Sequence, residues 1–191
     1  AGVLNIVHGN GPSAGNPLVA HPNIPVISFT GGTATGKHIA SVAAPMFKKL
    51  SLELGGKNPN IIFEDADLDL AIKTTIGSSF ANQGQICLCG SRVFVHRSIY
   101  ETFRDRLVEK VANMRVGDPF HEATQTGAVV SEAHMNKVLS YIELAKEEGG
   151  RILCGGQRVI LEGENKDGFF IQPAIIEGLP YTCRTNQEEI F

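Results

Sequence analysis

The sequence lacks a basic excess and a long apolar run, and each absence excludes a class of partner. Its 191 residues carry 17 lysines and arginines against 20 aspartates and glutamates, which gives a net charge of −3. Proteins that bind the phosphate backbone of nucleic acids usually carry a clear basic excess, so the charge argues against a nucleic-acid partner. No segment approaches the roughly 20 consecutive apolar residues that a membrane span requires. We therefore expect neither a nucleic acid nor a membrane as a partner.

Cysteine is also scarce, and its spacing is not that of a metal site. The four cysteines are Cys87, Cys89, Cys154 and Cys183. None belongs to a CxxC pair, and the histidines form no HExxH motif, so we expect no bound metal. Four cysteines are too few for a disulfide scaffold, which favours free thiols in a reducing compartment and a cytoplasmic location.

The two ends of the sequence lack the features of a complete chain. Ala1 stands where an initiator methionine is expected, and the residues after it lack the charged region of a signal peptide. Phe191 follows directly on an acidic and apolar cluster. These ends predict a fragment of a longer protein.

Strand and helix patterns alternate along the chain. Short β-branched or alternating runs predict strands over 3–7, 24–29, 49–54, 60–63, 92–95, 152–154 and 169–171. Apolar residues at helical spacing predict helices over 37–47, 67–76, 98–114 and 131–145. Asp67 and Ser131 are predicted N-caps, Ser98 with Glu101 is a predicted capping box, and a glycine pair at 149–150 ends the last helix. Such alternation predicts an α/β fold with largely parallel strand pairing.

Two glycine-rich loops are candidates for binding a phosphate. The loop over 31–36 follows a predicted strand and opens a helix, where free backbone N–H groups and the helix dipole attract anions. It matches neither GxGxxG nor the GK[ST] of a P-loop, and a strand–glycine–helix junction is more often only a turn. The loop over 9–15 is a weaker candidate of the same kind.

Cys87 and Glu53 are the candidates for covalent and acid–base chemistry. A glycine-containing break precedes Cys87 and could leave its thiol exposed, as a nucleophile requires. The alternative is a buried cysteine that acts as a small apolar side chain. Glu53 lies between Leu52 and Leu54 near the end of a strand, where it could serve as a general base or simply face solvent.

Four segments together resemble the aldehyde dehydrogenase superfamily. The segment 29–33, FTGGT, resembles its cofactor loop, and 52–59, LELGGKNP, resembles its glutamate signature. The segment 84–87, GQIC, resembles its cysteine signature, and 188–191, EEIF, resembles another cofactor segment. Glu53 and Cys87 are 34 positions apart (87 − 53), similar to the separation in the family.

The resemblance implies a fold and a reaction. It implies part of a parallel-sheet, Rossmann-like aldehyde dehydrogenase fold, with the end of an NAD-binding domain over 1–55 and a truncated catalytic domain over 56–191. Cys87 would attack the aldehyde, hydride would pass to the nicotinamide, and Glu53 would activate the water that hydrolyses the thioester. The backbone N–H of Cys87 would donate a hydrogen bond to the oxyanion.

The resemblance also implies a cofactor, NAD or NADP, and the residues that hold it. Those near the adenine, the pyrophosphate and the nicotinamide would be Gly11, Pro12, Gly15, Phe29, Thr30, Gly31, Gly32, Leu54, Glu189 and Phe191. Gly32 departs from the serine that the family usually has at this position. The substrate would be a small-molecule aldehyde, and the parent enzyme would be a homodimer or homotetramer.

Within the superfamily, the segments 79–89 and 60–66 are most similar to the aminomuconate and hydroxymuconate semialdehyde dehydrogenases. Two other hypotheses remain open at this point. One is a non-catalytic remnant of the fold. The other is a CoA-acylating aldehyde dehydrogenase that uses the same cysteine, although Glu53 favours hydrolysis over acyl transfer.

Overall fold

The structure is a computed structural model that describes residues 2–191. The chain divides into two compact units, Ala1–Gly55 and Gly56–Phe191, called here the first and the second unit. Among the described residues, none of the helices is both long enough and apolar enough to cross a membrane.

The first unit is a parallel strand pair with one helix packed on it. Its elements are a helical turn (Gly11–Gly15), α1 (Asn16–Ala20), β1 (Val26–Gly31), α2 (Thr33–Ala43), a 3-10 turn (Ala44–Met46) and β2 (Lys49–Leu54). Strands β1 and β2 pair in parallel, with Val26 opposite Lys49 and Gly31 opposite Leu54.

Burial in the first unit follows the two periodicities of strand and helix. Along β1 and β2 every second residue is half-buried and the residues between them are exposed. Helix α2 buries Gly36, Ile39 and Ala43, which lie on one face. Gly36 is tightly packed, because a Cβ there would lie 2.7 Å from Leu54 Cδ2.

The second unit contains six strands and four helices among its named elements. In chain order they are β3 (Pro59–Ile62), α3 (Leu68–Phe80), β4 (Arg92–Val95), α4 (Tyr100–Ala112), α5 (Glu132–Glu147), β5 (Arg151–Cys154), β6 (Arg158–Val159), β7 (Phe170–Ile171), β8 (Ile175–Glu177) and α6 (Arg184–Gln187), with 3-10 turns at Ala81–Gly84, Arg97–Ile99 and Gly163–Asn165. Strand β3 pairs with β4 in parallel, whereas β5 with β8 and β6 with β7 are antiparallel.

The hydrophobic core of the second unit lies where α3 and α4 meet the strands. Its buried cluster consists of Ile62, Ile72, Phe103, Leu107, Val111 and Met114. Partly buried side chains of β4, β5 and β8 pack against this cluster, so α4 contacts both the parallel and the antiparallel pair.

Several local predictions are confirmed. Asp67 caps α3 by accepting a hydrogen bond from the N–H of Leu70, and Ser131 caps α5 through the N–H of His134. Strands β2 and β4 have the predicted bounds. Helix α5 ends before Gly149, whose φ of 89° a glycine adopts without strain.

Other local predictions are wrong. Residues 3–7 form no strand, because they have no partner strand and their apolar side chains are exposed. Residues 11–15 form a helical turn capped by Asn10 and not an open loop. Strand β1 ends at Gly31 and helix α2 begins at Thr33, so only Gly32 of the predicted glycine loop over 31–36 lies between them. Ser98 lies in a 3-10 turn before α4, so the predicted capping box with Glu101 does not form.

The predicted strand pairing is right for only half of the strand pairs. Both pairs in the first half of the chain are parallel, and both pairs in the second half are antiparallel. Strands β6, β7 and β8 have only two or three residues each, which leaves too short a pattern to define their partners.

Candidate active site

Cys87 lies in a tight turn between α3 and β4. The 3-10 turn after α3 places Asn82, Gln83 and Gly84 at φ of 49°, 59° and 77°, three consecutive residues in the left-handed region. Positive φ is uncommon outside glycine, so the backbone is strained at Asn82 and Gln83, four to five residues before the cysteine. Asn82 stabilises it by donating from its side-chain amide to the carbonyl of Gln85 at 3.0 Å.

The turn itself leaves the thiol of Cys87 accessible. The N–H of Cys89 donates to the carbonyl of Ile86 at 2.9 Å, which closes a turn with Cys87 and Leu88 at its two central positions. Cys87 is exposed, so the alternative of a buried apolar cysteine is wrong. The turn follows the C-terminal end of α3, so no helix N-terminus lies directly at the cysteine.

The other cysteine of the turn has a different environment. Cys89 is half-buried, and its Sγ donates to the carbonyl of Ser79 at 3.0 Å. Burial raises the pKa of the Cys89 thiol, and the positive charge of Lys57 opposes this shift. Burial likewise raises the pKa of Cys154. Cys87 is therefore the one exposed thiol among the four cysteines.

Glu53 lies in the first unit, on the exposed face of β2. It stands opposite Thr30 of β1, and the next residue, Leu54, stands opposite Gly31. Glu53 and Thr30 are both exposed, whereas Leu54 is half-buried against Gly36 of α2. The first unit therefore brings together four of the predicted residues at the carboxyl ends of two parallel strands.

The start of α2 has the properties that an anionic group such as a pyrophosphate requires. Gly32 is the N-cap of this 11-residue helix, and no side chain caps the N–H groups of its first turn. No heavy atom lies within 4 Å of a Cβ built at Gly32, so the approach to the backbone is open. The same space would accommodate the serine that the family usually has here, so packing does not explain the glycine.

The predicted adenine-side residues lie in the helical turn before α1. Gly11 and Pro12 are exposed and Gly15 is half-buried. Asn10 holds the turn by accepting from the N–H and the hydroxyl of Ser13, at 2.9 and 2.6 Å.

The last residues of the chain are anchored to α5. Lys137 Nζ donates to the carbonyl of Glu189 at 3.0 Å, and His134 Nε2 lies 3.0 Å from the carbonyl of Phe191. The rings of His134 and Phe191 also meet edge to face, with centroids 5.9 Å apart. The carboxylate of Glu189 is half-buried and takes part in no hydrogen bond within the second unit.

A charged network beside this anchor escaped the sequence analysis. Glu188 accepts hydrogen bonds from Arg184, the first residue of α6, at 2.9 Å and from the hydroxyl of Tyr141 on α5. These bonds lower the pKa of Glu188 from 4.5 to about 2. Arg184 and Glu188 are four positions apart, which could have indicated the ion pair, whereas Tyr141 and Glu188 are 47 positions apart, which hides the second contact.

The second unit also contains a cavity of about 360 Å³. Glu189, Phe191 and Cys89 border it, together with core side chains of α4 and β8, but Cys87 does not. The two units thus divide the predicted residues. Glu53 and the glycine positions belong to the first, and Cys87, Glu189 and Phe191 belong to the second.

Comparison with known proteins identifies the class. The family model for the aldehyde dehydrogenase family matches residues 1–191, and the protein belongs to that family. The chain is 50% identical over its whole length to the 2-aminomuconic semialdehyde dehydrogenase of Danio rerio and 51% identical to that of Mus musculus. It spans 39% of the length of these curated relatives.

Solved structures confirm the fold. The betaine aldehyde dehydrogenase of Staphylococcus aureus, solved in complex with NAD+, aligns over 95% of this chain and 36% of its own, with a TM-score of 0.91 and 41% identity. An aldehyde dehydrogenase of Bacillus cereus aligns over the same shares with a TM-score of 0.90 and 42% identity. The chain therefore has the aldehyde dehydrogenase fold in part, as the sequence predicted.

Proposed function

We propose that the protein oxidises an aldehyde to a carboxylic acid, with Cys87 as the nucleophile and Glu53 as the general base. The observation that carries this proposal is the exposed Cys87 thiol, held in a closed turn, in a chain that belongs to the aldehyde dehydrogenase family. The chain covers a minor part of its relatives' length. The proposal therefore concerns the protein encoded by the longest reading frame that contains these residues.

The first step uses the Cys87 turn alone. The thiolate forms a bond to the aldehyde carbon while the carbonyl π electrons move to oxygen, which gives the oxyanion of a thiohemiacetal. The backbone N–H of Cys87 has no partner within residues 56–191, so it is available to donate to that oxygen.

NAD supports the oxidation by accepting a hydride from the substrate carbon when it is bound. The residues proposed to hold it are the open N-terminus of α2 at Gly32, the strand ends at Phe29, Thr30, Gly31 and Leu54, the turn at Gly11, Pro12 and Gly15, and the anchored Glu189 and Phe191. The S. aureus relative in complex with NAD+ supports NAD over NADP.

The final step is hydrolysis of the thioester on Cys87. Glu53 takes a proton from a water molecule, the water oxygen bonds to the acyl carbon, and the bond from carbon to sulfur breaks. The Cys87 thiolate returns and a carboxylic acid is released. The exposure of Glu53 leaves its carboxylate accessible to water.

For the substrate we propose a semialdehyde of the 2-aminomuconate kind. The support is the 50% identity with the 2-aminomuconic semialdehyde dehydrogenases, against 46% with the betaine aldehyde dehydrogenase of Amaranthus hypochondriacus. The homodimer or homotetramer and the cytoplasmic location stay predictions from the sequence.

The test is NADH formation with aldehyde substrates, measured on the wild type and on three variants. Cys87→Ala should abolish turnover, and Cys183→Ala, which alters a half-buried thiol, should not. Glu53→Gln should lower kcat by about 10²- to 10⁴-fold and leave an acyl group on Cys87 that intact-mass spectrometry detects. Retained turnover in Cys87→Ala would exclude the proposal.

Two further measurements separate the rival hypotheses. Coenzyme A that accelerates turnover and yields acyl-CoA would favour the acylating enzyme. Alkylation of the four cysteines at equal rates, unchanged by NAD, together with absent turnover, would favour a non-catalytic remnant. Fast alkylation of Cys87 that NAD alters would support the proposed function.

A further inference from the structure

One side chain, Asn58, joins the β3–β4 pair to the turn that carries Cys87. Its Nδ2 donates to the carbonyl of Cys87 at 2.7 Å and to the carbonyl of Cys89 at 3.1 Å. Both partners can only accept, so the NH2 end of the amide must face them, and each of its two hydrogens has one acceptor. A single amide thus holds the turn on both sides of Leu88.

Asn58 is itself fixed in place by the parallel strand pair. Its carbonyl accepts from the N–H of Arg92 at 3.1 Å, which extends the ladder between β3 and β4 by one bond. The guanidinium of Arg92 also donates to the carbonyl of Lys57 at 2.6 Å. Two hydrogen bonds therefore fix the backbone at Lys57 and Asn58 to Arg92 of β4.

Cys87 and Cys89 differ in how many other hydrogen bonds fix them. Cys89 is also fixed by its bond to Ser79 and by the turn bond to Ile86, and the next residue, Gly90, is bonded to Ser78. Within residues 56–191, the amide of Asn58 is the sole hydrogen-bond partner of the Cys87 main chain. Without it, no hydrogen bond would hold the carbonyl of Cys87 at the centre of the turn.

We propose that Asn58 is a positioning residue for the Cys87 nucleophile, an inference that rests on the proposed function. By fixing the carbonyl of Cys87, it restricts the rotation about the Cα–C bond of Cys87 and so holds the Cα that carries both the thiol and the N–H within the turn. Thiolate and N–H must act on the same carbonyl group of the substrate, so their placement relative to that group determines the rate. A misplacement of about 1 Å at a reacting group costs about 10²-fold in rate.

The decisive variant is Asn58→Asp, because aspartate keeps the size of asparagine and replaces both donors by acceptors. Asn58→Ser keeps one donor on a shorter side chain and provides a second variant. The matched control is Asn60→Asp. Asn60 lies in β3, two residues after Asn58, and its Nδ2 donates to the hydroxyl of Thr75 at 2.9 Å. A hydroxyl can rotate to donate to a carboxylate, so the control keeps a bond that Asn58→Asp loses.

Two readouts are measured on the protein encoded by the longest reading frame that contains the chain. Hydrogen–deuterium exchange over residues 82–91 reports whether the turn is held, independently of catalysis. We expect faster exchange there in Asn58→Asp than in the wild type and in Asn60→Asp. In steady-state kinetics, Asn58→Asp should have a kcat about 10- to 100-fold below that of the wild type, with KM for NAD within about twofold of the wild type. The kcat of Asn58→Ser should lie between those of Asn58→Asp and the wild type. A merely structural role would lower the folded fraction and leave kcat per folded site unchanged.

The outcomes separate this inference from the function on which it rests. Unchanged exchange in Asn58→Asp, or faster exchange with a wild-type kcat per folded site, would overturn the positioning role while leaving Cys87 as the nucleophile. Turnover that survives Cys87→Ala would remove the proposed function itself, and the positioning role would fall with it. Slowed turnover with a freed turn, found only at position 58, would support the inference.

Discussion

The substitution of Ile72 by alanine tests whether α3, the helix that leads into the cysteine turn, is packed against the core by the face that carries Ile72. Ile72 is completely buried in the cluster that joins α3 to α4, whereas Leu70, two residues earlier on the same helix, is 62% exposed. Ile72→Ala removes three carbons, and about 0.8 kcal/mol for each buried carbon gives about 2.4 kcal/mol. A partly relaxed cavity adds to this term, so the total should be about 3 kcal/mol.

The matched pair Ile72→Ala and Leu70→Ala is measured by thermal unfolding followed by circular dichroism. For a chain of this size, about 3 kcal/mol lowers Tm by roughly 6–12 °C. Leu70→Ala should change the stability by less than about 0.5 kcal/mol, because its side chain already contacts water. Equal shifts in the two variants would refute the placement of α3, since they would mean that the two faces of the helix are equally buried.

Three further variants test a cap, an ion pair and a close backbone contact. Asp67→Ala removes the cap of α3 and should lower stability by about 1 kcal/mol in the same thermal assay. Glu188 has a pKa of about 2 in the folded state against an ordinary 4.5, so the stability that it contributes is present above pH 4.5 and is lost as the pH falls toward 2. Arg184→Gln should raise that pKa, measured by NMR titration, and flatten the loss of stability over this window. Gly155→Ala should destabilise the second unit by about 2 kcal/mol or more in urea titrations, because φ is +65° and a Cβ would lie 1.8 Å from the carbonyl oxygen of Pro173.

The elements that could be predicted from the sequence are those that short-range chemistry determines. Asp67 and Ser131 cap helices because their side chains reach backbone N–H groups three residues ahead. Strand β2 was predicted from its own six residues, which alternate between half-buried and exposed. The run over 3–7 is rich in β-branched residues but has no partner strand, so composition alone predicted the wrong element.

The same distinction between short-range and long-range information applies to the candidate site. Cys87 and Glu53 were found through their resemblance to a family, because a single exposed cysteine or glutamate has no local signature. The contacts that hold Cys87 and Phe191 were missed for a physical reason. Asn58 is 29 positions from Cys87, and His134 is 57 positions from Phe191, so only the folded chain brings each pair together.

In the second unit, three residues proposed to serve the reaction are held by their main chains. Asn58 donates to the carbonyl of Cys87, Lys137 donates to that of Glu189, and His134 bonds to that of Phe191. The thiol of Cys87 and the carboxylate of Glu189 take part in no hydrogen bond within the same unit. A side chain that already had a partner would have to break that bond before it could meet a substrate or cofactor. Fixing the backbone instead preserves the direction of the reactive atom while leaving it free to bind. On this argument, loss of an anchor such as Asn58 should slow the chemical step, because the reactive group stays present but loses its direction.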